Sequence, residues 1–222
     1  ALRQEIKIYK ELNYDFSGVY LGGGTPTILL DELYKTISLI KQLYSVKEVS
    51  VETNPNHLTK INIETLKQMG INRLSVGVQS FNDSLLKSIE RYHKYGSGSE
   101  IKETLKLAGD NFNTVNVDMI FNFPNQTQEM LNEDIDSIIQ LGVNQVTFYP
   151  LMPAKSITGK LSGALGKIDY QKEKFFYSKI LERLSGYLKP STVWCFSKNK
   201  NMIDEYIVEH DEYLGIGSGA FG

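Results

Sequence analysis

Three consecutive glycines, Gly22, Gly23 and Gly24, follow the apolar run Val19-Tyr20-Leu21 and precede Thr25-Pro26-Thr27. A strand that ends in glycines gives up side chains so that another group can lie against its backbone. Pro26 then fixes the exit of the turn. No Gly-Lys-Ser/Thr follows, so this is not a nucleotide-phosphate loop, and the spacing is not the Gly-x-Gly-x-x-Gly of a dinucleotide site. A flexible βα connection would explain a glycine triplet equally well. Three polar side chains change the balance, because Glu52, Gln79 and Asp118 each stand at or near the end of a later apolar run. A glutamate accepts hydrogen bonds from an ammonium or a hydroxyl, and a glutamine and an aspartate together can hold a diol. Singly each has an ordinary role: Glu52 as a turn cap, Gln79 as a partner of loop backbone, Asp118 as a partner of a lysine. Jointly, beside a glycine loop, they outline a ligand site.

The elements that must position these residues alternate. Strands are predicted at 18–21, 48–51, 73–78, 114–120 and 145–149. Helices are predicted at 2–11, from 30 with Leu33, Ile37, Ile40 and Tyr44 on one face, at 63–69 with Gly70 as its stop, at 83–90, at 99–108, and at 128–140 with Leu131, Ile135 and Ile138 inward. Strands separated by helices imply βα units and a parallel sheet. In parallel βα barrels ligand chemistry gathers at the carboxyl ends of the strands. The glycine triplet, Glu52, Gln79 and Asp118 then share one rim. Residues 154–167 are small and polar and read as a long loop or boundary. Beyond it, Phe175, Phe176, Ile180, Leu184 and Tyr187 form a helical core face.

Four segments carry a family resemblance: Gly22-Gly23-Gly24-Thr25-Pro26-Thr27, Glu52-Thr53-Asn54-Pro55, Asn72-Arg73-Leu74-Ser75-Val76-Gly77-Val78-Gln79-Ser80-Phe81 and Asn116-Val117-Asp118. In order and spacing they resemble the radical S-adenosylmethionine enzymes of the oxygen-independent coproporphyrinogen III oxidase type, a group that also includes haem chaperones and haem-degrading methyltransferases. The run Tyr213-Leu214-Gly215-Ile216-Gly217-Ser218-Gly219-Ala220 resembles a later Gly-rich segment of the same family. The resemblance implies an α/β fold, a partial (βα)6 TIM-type barrel, with residues 1–153 as the radical SAM core. Residues 154–222 would continue that core and begin a C-terminal region. It implies S-adenosylmethionine held by Gly23, Gly24, Thr25, Glu52, Gln79, Arg91 and Asp118. In chemical terms, Gly23 and Gly24 would bring backbone carbonyls to the amino group and Glu52 would accept from it or from a hydroxyl. Gln79 and Asp118 would hold the ribose, and the planar fork of Arg91 would take the carboxylate. Gly24 and Thr25 would face a second S-adenosylmethionine or the substrate. No catalytic side chain is assigned.

The family's Cys-x3-Cys-x2-Cys loop supplies three thiolates to a 4Fe-4S cluster. Here Cys195 is the one cysteine, and between Trp194 and Phe196 it reads as a buried small hydrophobe. A first strand and its cluster loop are therefore expected upstream of Ala1, and further chain beyond Gly222; the alternative is a member that has discarded its cluster. The implied activity is oxidative decarboxylation of coproporphyrinogen III to protoporphyrinogen IX, with an electron donor as partner. The alternative is a haem chaperone on the same scaffold, and a third, unrelated reading is a sugar-phosphate-binding barrel. Asn122 stands where the family has glycine, which predicts a reshaped turn; Phe221 stands where chaperone-like members have histidine, which counts against that reading. The arginines are Arg3, Arg73, Arg91 and Arg183, few for a substrate rich in propionates. A net charge of -2 without a basic run gives nucleic acid no electrostatic footing. No apolar stretch approaches the ~20 residues that span a bilayer. A single cysteine excludes an internal disulfide and fits a reducing cytoplasm. His57, His93 and His210 show no ligand spacing.

Overall fold

A computed structural model describes residues 1–152, 169–198 and 213–220. Five strands, β1 (Gly18–Leu21), β2 (Glu48–Thr53), β3 (Arg73–Gln79), β4 (Thr114–Phe121) and β5 (Gln145–Pro150), pair in parallel and in chain order. Two short strands, β6 (Lys189–Pro190) and β7 (Cys195–Ser197), form an antiparallel hairpin, and β7 joins β5. The order β1-β2-β3-β4-β5-β7-β6 leaves the barrel open among the described residues. The helices are α1 (Leu2–Glu11), α2 (Leu30–Leu43), α3 (Lys60–Gln68), α4 (Asp83–Ser88), α5 (Tyr92–Tyr95), α6 (Gly98–Gly109), α7 (Gln128–Leu141) and α8 (Tyr170–Leu184).

Side-chain alternation along the strands creates two unlike faces. Val49 and Val51, then Leu74, Val76 and Val78, then Val115, Val117 and Met119, then Val146 and Phe148 all join one core. The helices complete it with Leu33 and Ile37, Ile63 and Leu66, Ile101 and Leu105, the predicted trio Leu131, Ile135 and Ile138, and Phe176, Ile180 and Leu184. The residues between them in the strands, Ser50 and Glu52, Arg73 and Ser75, Asn116 and Asp118, Gln145 and Thr147, fall on the opposite face. Helices thus cover the apolar outer face and leave a polar inner one. Thr59, Asn82, Ser97, Thr127 and Asp169 cap α3, α4, α6, α7 and α8 through their side chains, each satisfying backbone N–H groups that the first turn leaves unpaired.

Four expectations change in detail. Ile40 and Tyr44 leave the main core and pack with Ile6, and the Tyr44 hydroxyl donates to the Ile6 carbonyl at 2.8 Å, tying α1 to α2. Phe175 is exposed because α8 buries only the stripe through Phe176, Ile180 and Leu184, and Tyr187 is exposed in the turn beyond the helix end. The β6–β7 hairpin was not predicted. Asn122 adopts φ 69°, a left-handed value that asparagine tolerates better than most residues, so the turn keeps the backbone that a glycine would supply. Its side chain donates to the Asp169 carbonyl at 3.2 Å and to Glu173 at 3.1 Å, contacts that glycine cannot make. The boundary predicted at 154–167, His210 and Phe221 lie outside the described residues.

Candidate cofactor site

The glycine triplet follows β1 directly, Glu52 precedes the last residue of β2, Gln79 ends β3 and Asp118 stands in the second half of β4. Register places Glu52 beside Ser75 and Gly77 beside Asp118, so the predicted residues share one rim across adjacent parallel strands. The Glu52 carboxylate is fixed from two sides. It accepts the Tyr20 hydroxyl at 2.8 Å and the Gly23 N–H at 3.0 Å. A Cβ on Gly22 would lie 2.5 Å from Glu52 Oε1 and 2.8 Å from the Tyr20 ring, so a side chain there would have to displace the carboxylate. Gly23 has φ +102°, which side chains rarely adopt, and a Cβ on Gly23 or Gly24 would meet nothing within 4 Å. The first glycine therefore accommodates Glu52, and the next two open the backbone to solvent.

Gln79 combines φ 75° with a register irregularity between Gly77 and Gln79. A left-handed non-glycine residue costs of order 1–3 kcal/mol and is held by its surroundings. The surroundings here are Ser80 and Phe81. The Phe81 N–H donates to Asp134 on α7 at 2.7 Å, and the Ser80 hydroxyl donates to the same carboxylate at 2.8 Å. Asp134 is 1% exposed, and burial raises its pKa to about 7 against the opposing effect of those hydrogen bonds and of Lys102.

Asp118 is oriented from below. Ser75 donates to Oδ2 at 2.7 Å and Asn116 donates to Oδ1 at 2.8 Å. Asn116 itself accepts from Thr147 at 3.1 Å. One layer deeper, Arg73 is 5% exposed and donates to Ser50 at 2.7 Å and to Gln145 at 2.7 and 3.1 Å, while Gln145 donates to Ser197 at 3.0 Å. Among the described residues no carboxylate forms a salt bridge with Arg73. Neutral oxygens satisfy this buried cation, as burial requires.

Arg91 departs from the open fork expected of it. Its Nη2 donates to Asn54 Oδ1 at 2.9 Å and to the Gly77 carbonyl at 2.6 Å, and its guanidinium lies 4.0 Å from the Tyr95 ring centroid. Its Nε is buried without a partner. Burial lowers its pKa, though not enough to discharge an arginine. Thr25 accepts a hydrogen bond from Asn54 Nδ2 at 2.8 Å. Sequence reasoning gave no role to Tyr20, Asn54, Ser75 or Asn116, although Asn54 stands two residues from Glu52 and Asn116 two from Asp118, a spacing that puts each pair on one face. His57 is half-buried in the turn after β2 and His93 is exposed on α5. Cys195 is fully buried, as predicted.

The residues present fit the amino-acid part of S-adenosylmethionine on two observations: an orphaned buried donor at Arg91 Nε, and a glycine cradle without side chains beneath an anchored carboxylate. They do not fit an iron–sulfur cluster. One cysteine cannot supply three thiolates, and among the described residues no group of His, Cys, Asp and Glu is arranged to hold a metal. No helix of the described residues is long and apolar enough to cross a membrane.

Known proteins share sequence and fold with this chain. The sequence profile of the Radical SAM superfamily matches residues 1–138. The haem chaperone HemW of Lactococcus lactis is 33% identical over 217 residues, covering 92% of this chain and 56% of that protein. The oxygen-independent coproporphyrinogen III oxidase of Helicobacter pylori is 32% identical over 157 residues, covering 67% of this chain and 34% of that protein. This chain thus spans less than two thirds of the length of either relative. The fold is that of the coproporphyrinogen III oxidase HemN from Escherichia coli, with a TM-score of 0.76 and 22% identity over 88% of this chain and 47% of that one.

Proposed function

Because this chain belongs to the Radical SAM superfamily, we propose that its rim binds S-adenosylmethionine and that the whole protein acts on haem or a related tetrapyrrole. The observation that carries the cofactor reading is the Glu52 carboxylate, held by Tyr20 and by the Gly23 N–H beside an otherwise bare glycine backbone. Glu52 accepts from the amino group, Arg91 Nε donates to the carboxylate, and Gln79 and Asp118 take the ribose hydroxyls. Thr25 and Gly24 border the substrate side. S-adenosylmethionine supplies radical chemistry when a reductant is available, and the protein supplies position and shielding.

Of the two tetrapyrrole readings, haem binding and transfer is the better supported. The haem chaperones of Lactococcus lactis and Bacillus subtilis match 92% and 100% of this chain, against 67% for the Helicobacter pylori oxidase. The few arginines favour the ligand with fewer propionates. Oxidative decarboxylation of coproporphyrinogen III remains as a second reading, supported by the similarity to the Helicobacter pylori oxidase over 67% of this chain. The full-length protein, prepared anaerobically, is to be tested for S-adenosylmethionine binding, for haem binding and transfer, and for protoporphyrinogen formation. Stable haem transfer without protoporphyrinogen supports the first reading. Protoporphyrinogen formation replaces it with the second, and absence of S-adenosylmethionine binding refutes the cofactor assignment.

A further inference from the structure

We propose that Asn54 is a positioning residue that ties three cofactor-facing loops into one unit and keeps Arg91 available to a carboxylate by holding it with a neutral oxygen. The inference rests on the reading of the rim as an S-adenosylmethionine site. Asn54 is the residue after β2, and Pro55 favours its extended backbone, φ -121° and ψ 158°. From there its amide reaches in two directions. Nδ2 donates to Thr25 Oγ1 at 2.8 Å, in the loop after β1. Oδ1 accepts from Arg91 Nη2 at 2.9 Å, on the segment after β3. The same Nη2 donates to the carbonyl of Gly77 at 2.6 Å, and a Gly77 Cβ would sit 3.3 Å from Asn54 Oδ1, so β3 is closely packed against this junction.

The choice of an amide has a chemical consequence. An aspartate of the same shape would still accept from Arg91, and Thr25 could donate to it instead of accepting. It would also place a full negative charge on the guanidinium. That guanidinium has one buried donor, Nε, without a partner, and no carboxylate among the described residues forms a salt bridge with it. A neutral tether fixes the arginine's position and leaves its charge for a ligand. A carboxylate tether would fix it equally well and neutralise it.

Asn54→Asp in the full-length protein separates these effects. Binding is measured by calorimetry with two probes: S-adenosylhomocysteine, which carries the amino-acid carboxylate, and 5′-deoxyadenosine, which lacks it. The expected result is at least a tenfold loss of affinity for S-adenosylhomocysteine with less than a twofold change for 5′-deoxyadenosine. Equal losses for both probes, or none for either, overturn the proposal. If Asn54→Asp does not fold, Asn54→Ala is expected to show the same preferential loss, and failure of both variants to fold assigns Asn54 to the scaffold and overturns the proposal. If the wild-type protein binds neither probe, the cofactor reading fails, and the tether is judged by thermal unfolding of Asn54→Ala, Arg91→Ala and the double variant. Non-additive shifts then support the tether, and additive shifts overturn it.

Discussion

Asp134 makes stability depend on pH in a direction opposite to that of an ordinary salt-bridged carboxylate. Its folded pKa of about 7 lies above the ordinary 3.8 because burial penalises the charged form. A raised folded pKa gives a stabilising contribution that is complete below 3.8 and is lost as pH rises through about 7. Between those values the unfolded chain is ionised and the folded one is protonated, so stability falls by about 1.4 kcal/mol per pH unit. Integrated from pH 5 to pH 8, with curvature near the folded pKa, the loss is about 2–3 kcal/mol. Asp134→Asn keeps an acceptor for the Phe81 N–H and removes the titration. Urea unfolding of both proteins across this range is therefore expected to show the variant gaining on the wild type by about 2–3 kcal/mol as pH rises. The gain should level off above pH 8. A difference between the two proteins that is constant from pH 5 to pH 8 would refute the reasoning, because it would mean that Asp134 does not change protonation on folding. Asp134→Ala, which orphans both the Phe81 N–H and the Ser80 hydroxyl, is expected to cost about 1–3 kcal/mol for each group.

Two further substitutions probe the rim and its supporting loop. Gly22→Ala must displace the Glu52 carboxylate, since the new Cβ would lie 2.5 Å from Oε1; losing one charged hydrogen bond to the ligand, about 1.5–3 kcal/mol, predicts at least a tenfold weaker calorimetric affinity for S-adenosylhomocysteine. Asn122→Val puts a β-branched residue at φ 69° and is expected to be about 1–3 kcal/mol less stable in urea than Asn122→Gly, which needs no such strain; equal stabilities would show that the left-handed backbone is not constraining.

The rim was legible because strand ends and glycine turns are local signals. Each predicted strand is present to within a few residues, and Glu52, Gln79 and Asp118 do share one layer. The β6–β7 hairpin escaped because its strands are too short to show periodicity, and its place in the sheet depends on β5. Asp134 escaped for a different reason. It stands three residues after Leu131 and four before Ile138, on the buried stripe of α7, where an aspartate is anomalous, but its neighbours Glu133 and Asp136 make it resemble a solvated charge. The role of Arg91 was legible only in part. Sequence showed an arginine at a family position, but the commitment of its Nη2 to Asn54 and Gly77 depends on how three loops meet in space.

The buried floor beneath the rim also bears on the order of folding. Arg73 and Gln145 are 72 residues apart, and Gln145 and Ser197 are a further 52 apart. Neither contact is available to a chain that has formed only its first βα units, and pairings of such long sequence separation close slowly because the loop entropy precedes the reward. On an emerging polypeptide the glycine loop and its carboxylate can assemble early from β1 and β2. The arginine below can meet only Ser50 of β2 at that stage; its bonds to Gln145 must wait for β5, and the bridge from Gln145 onward must wait for β7. Completion of the floor thus depends on the arrival of the distal end of the sheet, although every predicted contact residue is already present upstream.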